Sequence, residues 1–236
     1  MNYVVILAGG VGSRMKTSLP KQHICINGKQ IIEYTLTAFS SSADVDKIVI
    51  VSNSEYIDRC KDFQREYTKV IEVIQGGKTR VMSVYNALCY LNKICENDDK
   101  IIFSDAVRPC ITWREISGLY ASLNSHCAST TGIELYETVL FTENDELVDI
   151  KCRDGLLKQT SPEAYRFDAL KHLYFDVDYQ EIQNYKNIGI DMLFKQGKSI
   201  GIIKSTAYNF KITTQIDVDI FESVLRLGFE NIVKTS

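Results

Sequence analysis

Tyr3 to Leu7 is a short apolar run rich in β-branched residues, and a glycine cluster ends it. That pattern predicts a buried parallel strand feeding a tight loop. Lys47 to Ser52, Val70 to Ile74, Lys100 to Asp105 and Ser199 to Ile203 read as further strands. Helical spacing fills the intervals. Ile31, Ile32, Tyr34, Thr35, Leu36 and Phe39 share one helix, ended by Ser40-Ser41-Ser42. Tyr56 to Lys69 is a polar helix with a stripe at Ile57, Cys60 and Phe63. Helices are also expected after Gly77, over Trp113 to Leu123, over Ile188 to Gln196 with Gly197 as its stop, and over Asp217 to Leu227. Strands alternating with helices imply an α/β fold with an open, mostly parallel, doubly wound sheet in one domain spanning 1–236. Ala128 to Leu147 breaks the rule. It alternates like an antiparallel hairpin with its turn at Glu143-Asn144-Asp145, a projecting arm at about residues 134–152. Gln159-Thr160-Ser161-Pro162 reads as a turn before a helix from Ala164, and Asp176 to Asn184 is polar and ambiguous.

The loop after the first strand is Ala8-Gly9-Gly10-Val11-Gly12-Ser13-Arg14. Its glycines let backbone N–H groups approach an anion closely and tolerate positive φ. Arg14 and Lys21 follow, with Pro20 stiffening the segment that presents Lys21. Together these suggest a polyphosphate site. A dinucleotide fingerprint fails because Met15 stands where the third glycine belongs. A Walker A loop ending at Gly77-Lys78-Thr79 fails because Glu72 stands where its first glycine belongs. What remains is G-G-x-G-[ST]-R-M followed by P-K-Q.

Ligands of such sheets bind at the carboxyl ends of the strands. Gln75-Gly76-Gly77, followed by a helix carrying Arg80 and Ser83, offers a second group of exposed N–H donors. Asp105 ends a central strand and Arg108 follows it. One carboxylate beside phosphate oxygens suits Mg²⁺. Asn209-Phe210-Lys211 carries another cation toward the same end. Pro20, Pro109 and Pro162 are the chain's prolines, and all fall in these segments, where a fixed φ holds the backbone.

Bulk composition narrows the partners. Net charge is −3 over 236 residues, with no basic run for nucleic acid or a membrane surface. No stretch reaches the ~18 apolar residues of a membrane span. The expectation is a soluble, cytoplasmic protein. The seven cysteines form no C-x-x-C and read as free thiols. His23, His126 and His172 have no metal-ligand spacing and receive no role, although His23 lies near Lys21.

Taken together, LAGGVGSRM, PKQ, GGKTRVMSV, SDAVRP, RDGLLKQTSPEAY and NFKITT resemble the cytidylyltransferase family of 2-C-methyl-D-erythritol 4-phosphate and ribitol-5-phosphate cytidylyltransferases. The motifs run from residue 7 to residue 214, and DAVRP and ETV look closer to the ribitol branch. The resemblance implies a Rossmann-like domain, a homodimer, and transfer from CTP with Mg²⁺ to a small phosphorylated acceptor. It places the triphosphate on Leu7, Ala8, Gly9, Gly10, Gly12 and Ser13, with Arg14, Lys21 and Lys211 as the catalytic cations. Gly76, Gly77, Arg80, Ser83, Asp105 and Ala106 complete the nucleotide site, with Asp105 on the metal. Arg108, Thr138, Arg153 and Asn187 would hold the acceptor, Thr138 and Arg153 coming from the partner's arm and gripping its phosphate together with Lys211. Three motifs depart from the pattern. Ser104 replaces the His of H-D-A, Ser161-Pro162-Glu163 replaces T-P-Q, and Asn187-Ile188-Gly189 replaces T-D-[AD]. The acceptor therefore stays open among ribitol 5-phosphate, phosphoglutamine (both for surface polysaccharide) and methylerythritol phosphate (for isoprenoids). A dehydrogenase would need the missing glycine and an acidic residue where Ser52-Asn53 stands. A non-catalytic nucleotide-binding protein could have lost Lys21, Asp105 or Lys211, which are all present.

Overall fold

A computed structural model describes residues 1–10, 19–184 and 189–234. In chain order the first part holds β1 (Asn2–Ala8), β2 (Cys25–Ile26), β3 (Lys29–Gln30), α1 (Ile31–Ser40), β4 (Lys47–Ser52), α2 (Ile57–Lys61), α3 (Phe63–Glu66), β5 (Val70–Gln75), α4 (Arg80–Leu91) and β6 (Lys100–Asp105). The second part holds α5 (Trp113–Ser122), β7 (Ala128–Glu134), β8 (Val139–Glu143), β9 (Glu146–Lys151), β10 (Leu157–Arg166), α6 (Phe167–Phe175), α7 (Tyr179–Asn184), α8 (Ile190–Lys195), β11 (Ile200–Lys204), α9 (Gln215–Arg226) and α10 (Phe229–Val233).

The main sheet has seven strands in the order β11-β7-β10-β6-β1-β4-β5. All pairings are parallel except those of β10, which runs antiparallel to both β6 and β7. Period-two side-chain alternation splits each buried run between two cores. Val4, Ile6, Ile48, Ile50 and Ile102 face α1, α2, α3 and α5 through Leu36, Phe39, Cys60, Phe63, Ile116 and Leu119. Tyr3, Val5, Val49, Val51, Ile101 and Phe103 face α4 and α6 through Val84, Leu88, Leu91, Leu170 and Leu173. Helices therefore cover both faces, as the alternation predicted. A smaller third core sits at one end, where Val218, Phe221 and Val224 of α9 pack on Tyr34, Val107 and Ile212.

β1 lies between β4 and β6, so the chain steps outward to β5 and then returns to the other side of β1. Such a reversal opens a crevice beyond the carboxyl ends of the strands. Leu7 stands opposite Asp105 at that end.

Several sequence expectations change. Gln159 to Pro162 is no turn before a helix. It lies inside β10, where the register shifts between Thr160 and Glu163. Ser161-Pro162, a cis peptide, occupies that irregularity, a position where a residue without an N–H is tolerated. The helix begins at Phe167 rather than Ala164. β7 is not the first strand of the arm but pairs with β10 and β11 in the main sheet. The arm is only β8 and β9, turning at Asn144 and Asp145 with φ of 50° and 65°. That geometry matches a tight hairpin turn. The helix expected over Tyr56 to Lys69 is broken into α2 and α3, and the ambiguous stretch contains α7.

Candidate active site

A cleft of about 640 Å³ opens at the carboxyl ends of β1, β4, β5 and β6. Its first wall is the end of β1. Leu7, Gly9 and Gly10 line it. Among the described residues, a Cβ at Gly10 would meet nothing within 4 Å, and one at Gly9 only Ser83 Oγ at 3.9 Å. Neither has the positive φ that the sequence reading allowed for; the bare backbone simply leaves space for a ligand. Gln22 holds this backbone in place, its Nε2 donating to Ala8 O at 2.6 Å and Gly10 O at 3.0 Å. Pro20 opens the 3₁₀ turn Lys21–His23 that presents Gln22 and Lys21 together. Lys21 is buried, yet it borders the cleft, and its Nζ donates to Ile212 O at 2.9 Å.

The second wall follows β5. Gly76, Gly77, Lys78, Thr79, Arg80 and Ser83 line it. Thr79 caps α4 by accepting from Met82 N at 3.2 Å. Ser83 Oγ accepts from Gly77 N at 3.1 Å and donates to Thr79 O at 2.9 Å. A Cβ at Gly77 would sit 2.3 Å from Met82 Cβ, so no side chain fits there. Arg80 Nη2 stands 4.0 Å from Glu163 Oε2, and the Arg80 side chain is 41% exposed.

The floor is the end of β6. Lys211 Nζ lies 2.9 Å from Asp105 Oδ2, and Arg108 Nε lies 3.4 Å from the same oxygen. Burial opposes ionisation of Asp105. The Lys211 ammonium, followed by Arg108 and Arg80, outweighs it and holds the carboxyl below the usual carboxylate range. Arg108 does not line the cleft. It lies behind Asp105 and donates through Nη1 to Asn209 O at 2.8 Å. Within this chain Arg108 buttresses Asp105.

The structure thus gathers Leu7, Gly9, Gly10, Lys21, Gly76, Gly77, Arg80, Ser83, Asp105, Ala106 and Lys211 around one cleft, with Ala8 just behind. Gly12, Ser13, Arg14 and Asn187 lie outside the described residues. Thr138 and Arg153 are not at the cleft. Both are exposed at the root of the arm, where Arg153 Nη1 donates to Tyr136 O. Gln22, Asn53, Ser54, Gln75 and Thr213 also border the cleft and were not foreseen as site residues. Gln22 had a signal as the last letter of P-K-Q, Gln75 as the head of Gln75-Gly76-Gly77 and Thr213 within NFKITT; Asn53 and Ser54 had none. His23 is turned away, its Nδ1 on Gln30 Oε1 at 2.9 Å and its ring stacked on Tyr56. Burial lowers its pKa.

A doubly wound sheet with a glycine-lined anion cleft and a cationic floor defines a nucleotidyltransferase. The family model of 2-C-methyl-D-erythritol 4-phosphate cytidylyltransferase matches residues 2–227, and the chain belongs to that family of CTP-using enzymes. It is 32% identical over 229 residues to the bifunctional ribulose 5-phosphate reductase/CDP-ribitol pyrophosphorylase Bcs1 of Haemophilus influenzae. That match covers 95% of this chain and 48% of the relative, so the chain spans about half of that protein's length. It is 29% identical to the ribitol-5-phosphate cytidylyltransferase of Lacticaseibacillus paracasei, covering 94% of this chain and 97% of the other. Among solved structures, the 2-C-methyl-D-erythritol 4-phosphate cytidylyltransferase of Francisella tularensis superposes with a TM-score of 0.76 at 29% identity, covering 94% and 98% of the two chains.

Proposed function

We propose that this chain transfers the cytidylyl group of CTP to ribitol 5-phosphate, giving CDP-ribitol and pyrophosphate. The observation that carries the transfer chemistry is the convergence of Lys21, Lys211 and Asp105 on one glycine-walled cleft. Two similar proteins that bear ribitol names support the choice of acceptor. The product would serve a later step that moves polyol phosphate onto a surface polysaccharide.

The acceptor phosphate has a second pKa near ~6 and is mostly a dianion at pH 7, so no general base is required. Its oxygen attacks the α-phosphorus in line while pyrophosphate leaves. Catalysis is then positioning and charge neutralisation. Gly9, Gly10, Gly76 and Gly77 allow close approach of the nucleotide. Lys21 and Lys211 neutralise charge on the phosphates. Asp105 fits a Mg²⁺ site, because this ion takes one or two carboxylates and fills its other positions with phosphate oxygens and water. The bound ion would neutralise charge on the triphosphate.

The acceptor half needs a second copy of the chain. Thr138 and Arg153 stand on an arm that pairs only with itself among the described residues. Leu140, Phe141, Leu147, Val148 and Ile150 on that arm are 49–58% exposed, more apolar surface than an isolated hairpin keeps in water. In a two-fold dimer each arm would bring Thr138 and Arg153 to the other cleft.

The test is pyrophosphate release with CTP and Mg²⁺ against ribitol 5-phosphate, methylerythritol phosphate, phosphoglutamine and glycerol phosphate. Preferred turnover with ribitol 5-phosphate is expected. Preference for methylerythritol phosphate or phosphoglutamine would overturn the acceptor while leaving the transfer chemistry intact.

A further inference from the structure

The cleft floor is held by a closed ring of hydrogen bonds that joins distant segments. Asp105 N donates to Ser161 Oγ at 3.3 Å. Ser161 O accepts from Asn209 Nδ2 at 2.9 Å. Asn209 O accepts from Arg108 Nη1 at 2.8 Å. Arg108 Nε returns to Asp105 Oδ2 at 3.4 Å. Lys211, two residues beyond Asn209, reaches that same Oδ2.

Asn209 is fully buried at the centre of this ring. Its amide orientation follows from its neighbours, since a carbonyl and a carboxylate only accept. Nδ2 faces Ser161 O, with Glu115 Oε1 at 3.4 Å and Ser205 Oγ at 3.2 Å. Glu115 is itself buried and anchored at the α5 N-terminus, where Oε2 accepts from Thr112 N and Thr112 Oγ1 at 2.8 Å each. Oδ1 of Asn209 has no partner among the described residues, so its amide is fixed from the nitrogen side. No regular element holds the stretch between β11 and α9 that carries Lys211. On the upstream side of Lys211, Asn209 joins that stretch to β10 and α5 at once.

We propose that Asn209 is a positioning residue for the transfer reaction, aligning Lys211 and Arg108 on Asp105 from behind the cleft. The proposal rests on the cytidylyl-transfer reading above. Asn209 touches no substrate. Its effect is expected in turnover, because a cation displaced by an ångström from the developing charge loses much of its value. CTP binding, supported by the glycine walls, should change little.

The experiment is a double-mutant cycle on the full chain, measuring kcat and the CTP KM. Asn209→Asp keeps the shape but sets a carboxylate oxygen against Ser161 O, and should lower kcat by about 10–100-fold. Its CTP KM should stay within about threefold and its melting transition should remain cooperative. In the Lys211→Ala background the same change should add less than about threefold, because the group it positions is already gone. Additive losses would mean that Asn209 acts through the fold alone and would overturn the proposal, as would a folded Asn209→Asp enzyme with normal kcat. If Asn209→Asp does not fold, Ser161→Ala breaks the ring at Asp105 N and runs through the same cycle, with the same outcomes deciding. A fully active Lys211→Ala enzyme would instead refute the role of the cations and the parent reading with it.

Discussion

The floor of the cleft and the arm are opposite solutions to placing charged groups. At the floor, Asp105 and Arg108 are at most 15% exposed, and Lys211 closes over them. Each has partners from distant segments, and the local field keeps Asp105 ionised. On the arm, Arg153 is exposed and its guanidinium donates to the nearby Tyr136 carbonyl. The strands beside it pair with each other and with no other described strand. Buried charges that are fully partnered mark a site complete within one chain. Exposed charges on an apolar hairpin mark a site still awaiting its second wall. In the proposed reading one chain builds the nucleotide half, and the acceptor half falls to the proposed dimer.

This contrast can be broken first at the floor. Lys21→Ala should lose about 10²–10³ in turnover, as single donors to developing charge do, while melting normally. Near-normal steady-state turnover in the folded variant would remove Lys21 from the mechanism. On the arm the effect should be smaller and of another kind. Arg153→Ala should raise the acceptor KM by about tenfold or more, the value of one charge-assisted hydrogen bond, and leave the CTP KM alone. A shift in both constants would show that the arm serves the nucleotide as well.

Gly77→Ala separates shape from charge. Its new Cβ collides with Met82 at the start of α4. We expect about 1–3 kcal/mol of lost stability in denaturant melts, together with a weaker CTP KM. An unchanged midpoint would mean that the turn can shift freely. The smallest effect should come from pH. Asp105 has a depressed pKa, so its ionic contribution is complete above the ordinary carboxylate value of about 3.9. That contribution is lost only as pH falls through the lower folded value. A turnover profile should therefore show no Asp105 limb between pH 5 and 7, and its fall should follow acceptor protonation near ~6. A limb in that range that persists with an acceptor pre-ionised across it would assign the titration to the enzyme.

Much of this was legible in the chain. β1, β4 and β6 are apolar runs because they are buried on both faces, and a run of that kind has few other readings. β10 was hidden for the opposite reason. Gln159, Thr160, Ser161 and Pro162 look like a turn, but an antiparallel strand between β6 and β7 absorbs the proline at a register shift. β7 showed its alternation but not its partners. Alternation fixes which residues share a face, not which strand lies alongside. The glycine walls, Lys21, Asp105 and Lys211 could be found because each sits in a local motif. The Asn209 ring could not. Of its members 105, 108, 161 and 209, only the first two are close in sequence, and no local spacing links that pair to 161 or 209.

The most direct test of a site divided between floor and arm is complementation between two crippled enzymes. Lys21→Ala and Arg153→Ala protomers, assayed at an acceptor concentration where each variant alone is slow, are mixed and allowed to exchange subunits. If the arm of one chain completes the cleft of the other, each mixed dimer holds one intact site, and random exchange should restore about a quarter of wild-type turnover. Turnover no higher than the average of the two parents, in a mixture shown to contain mixed dimers, would contradict the division and place both halves of the site in a single chain.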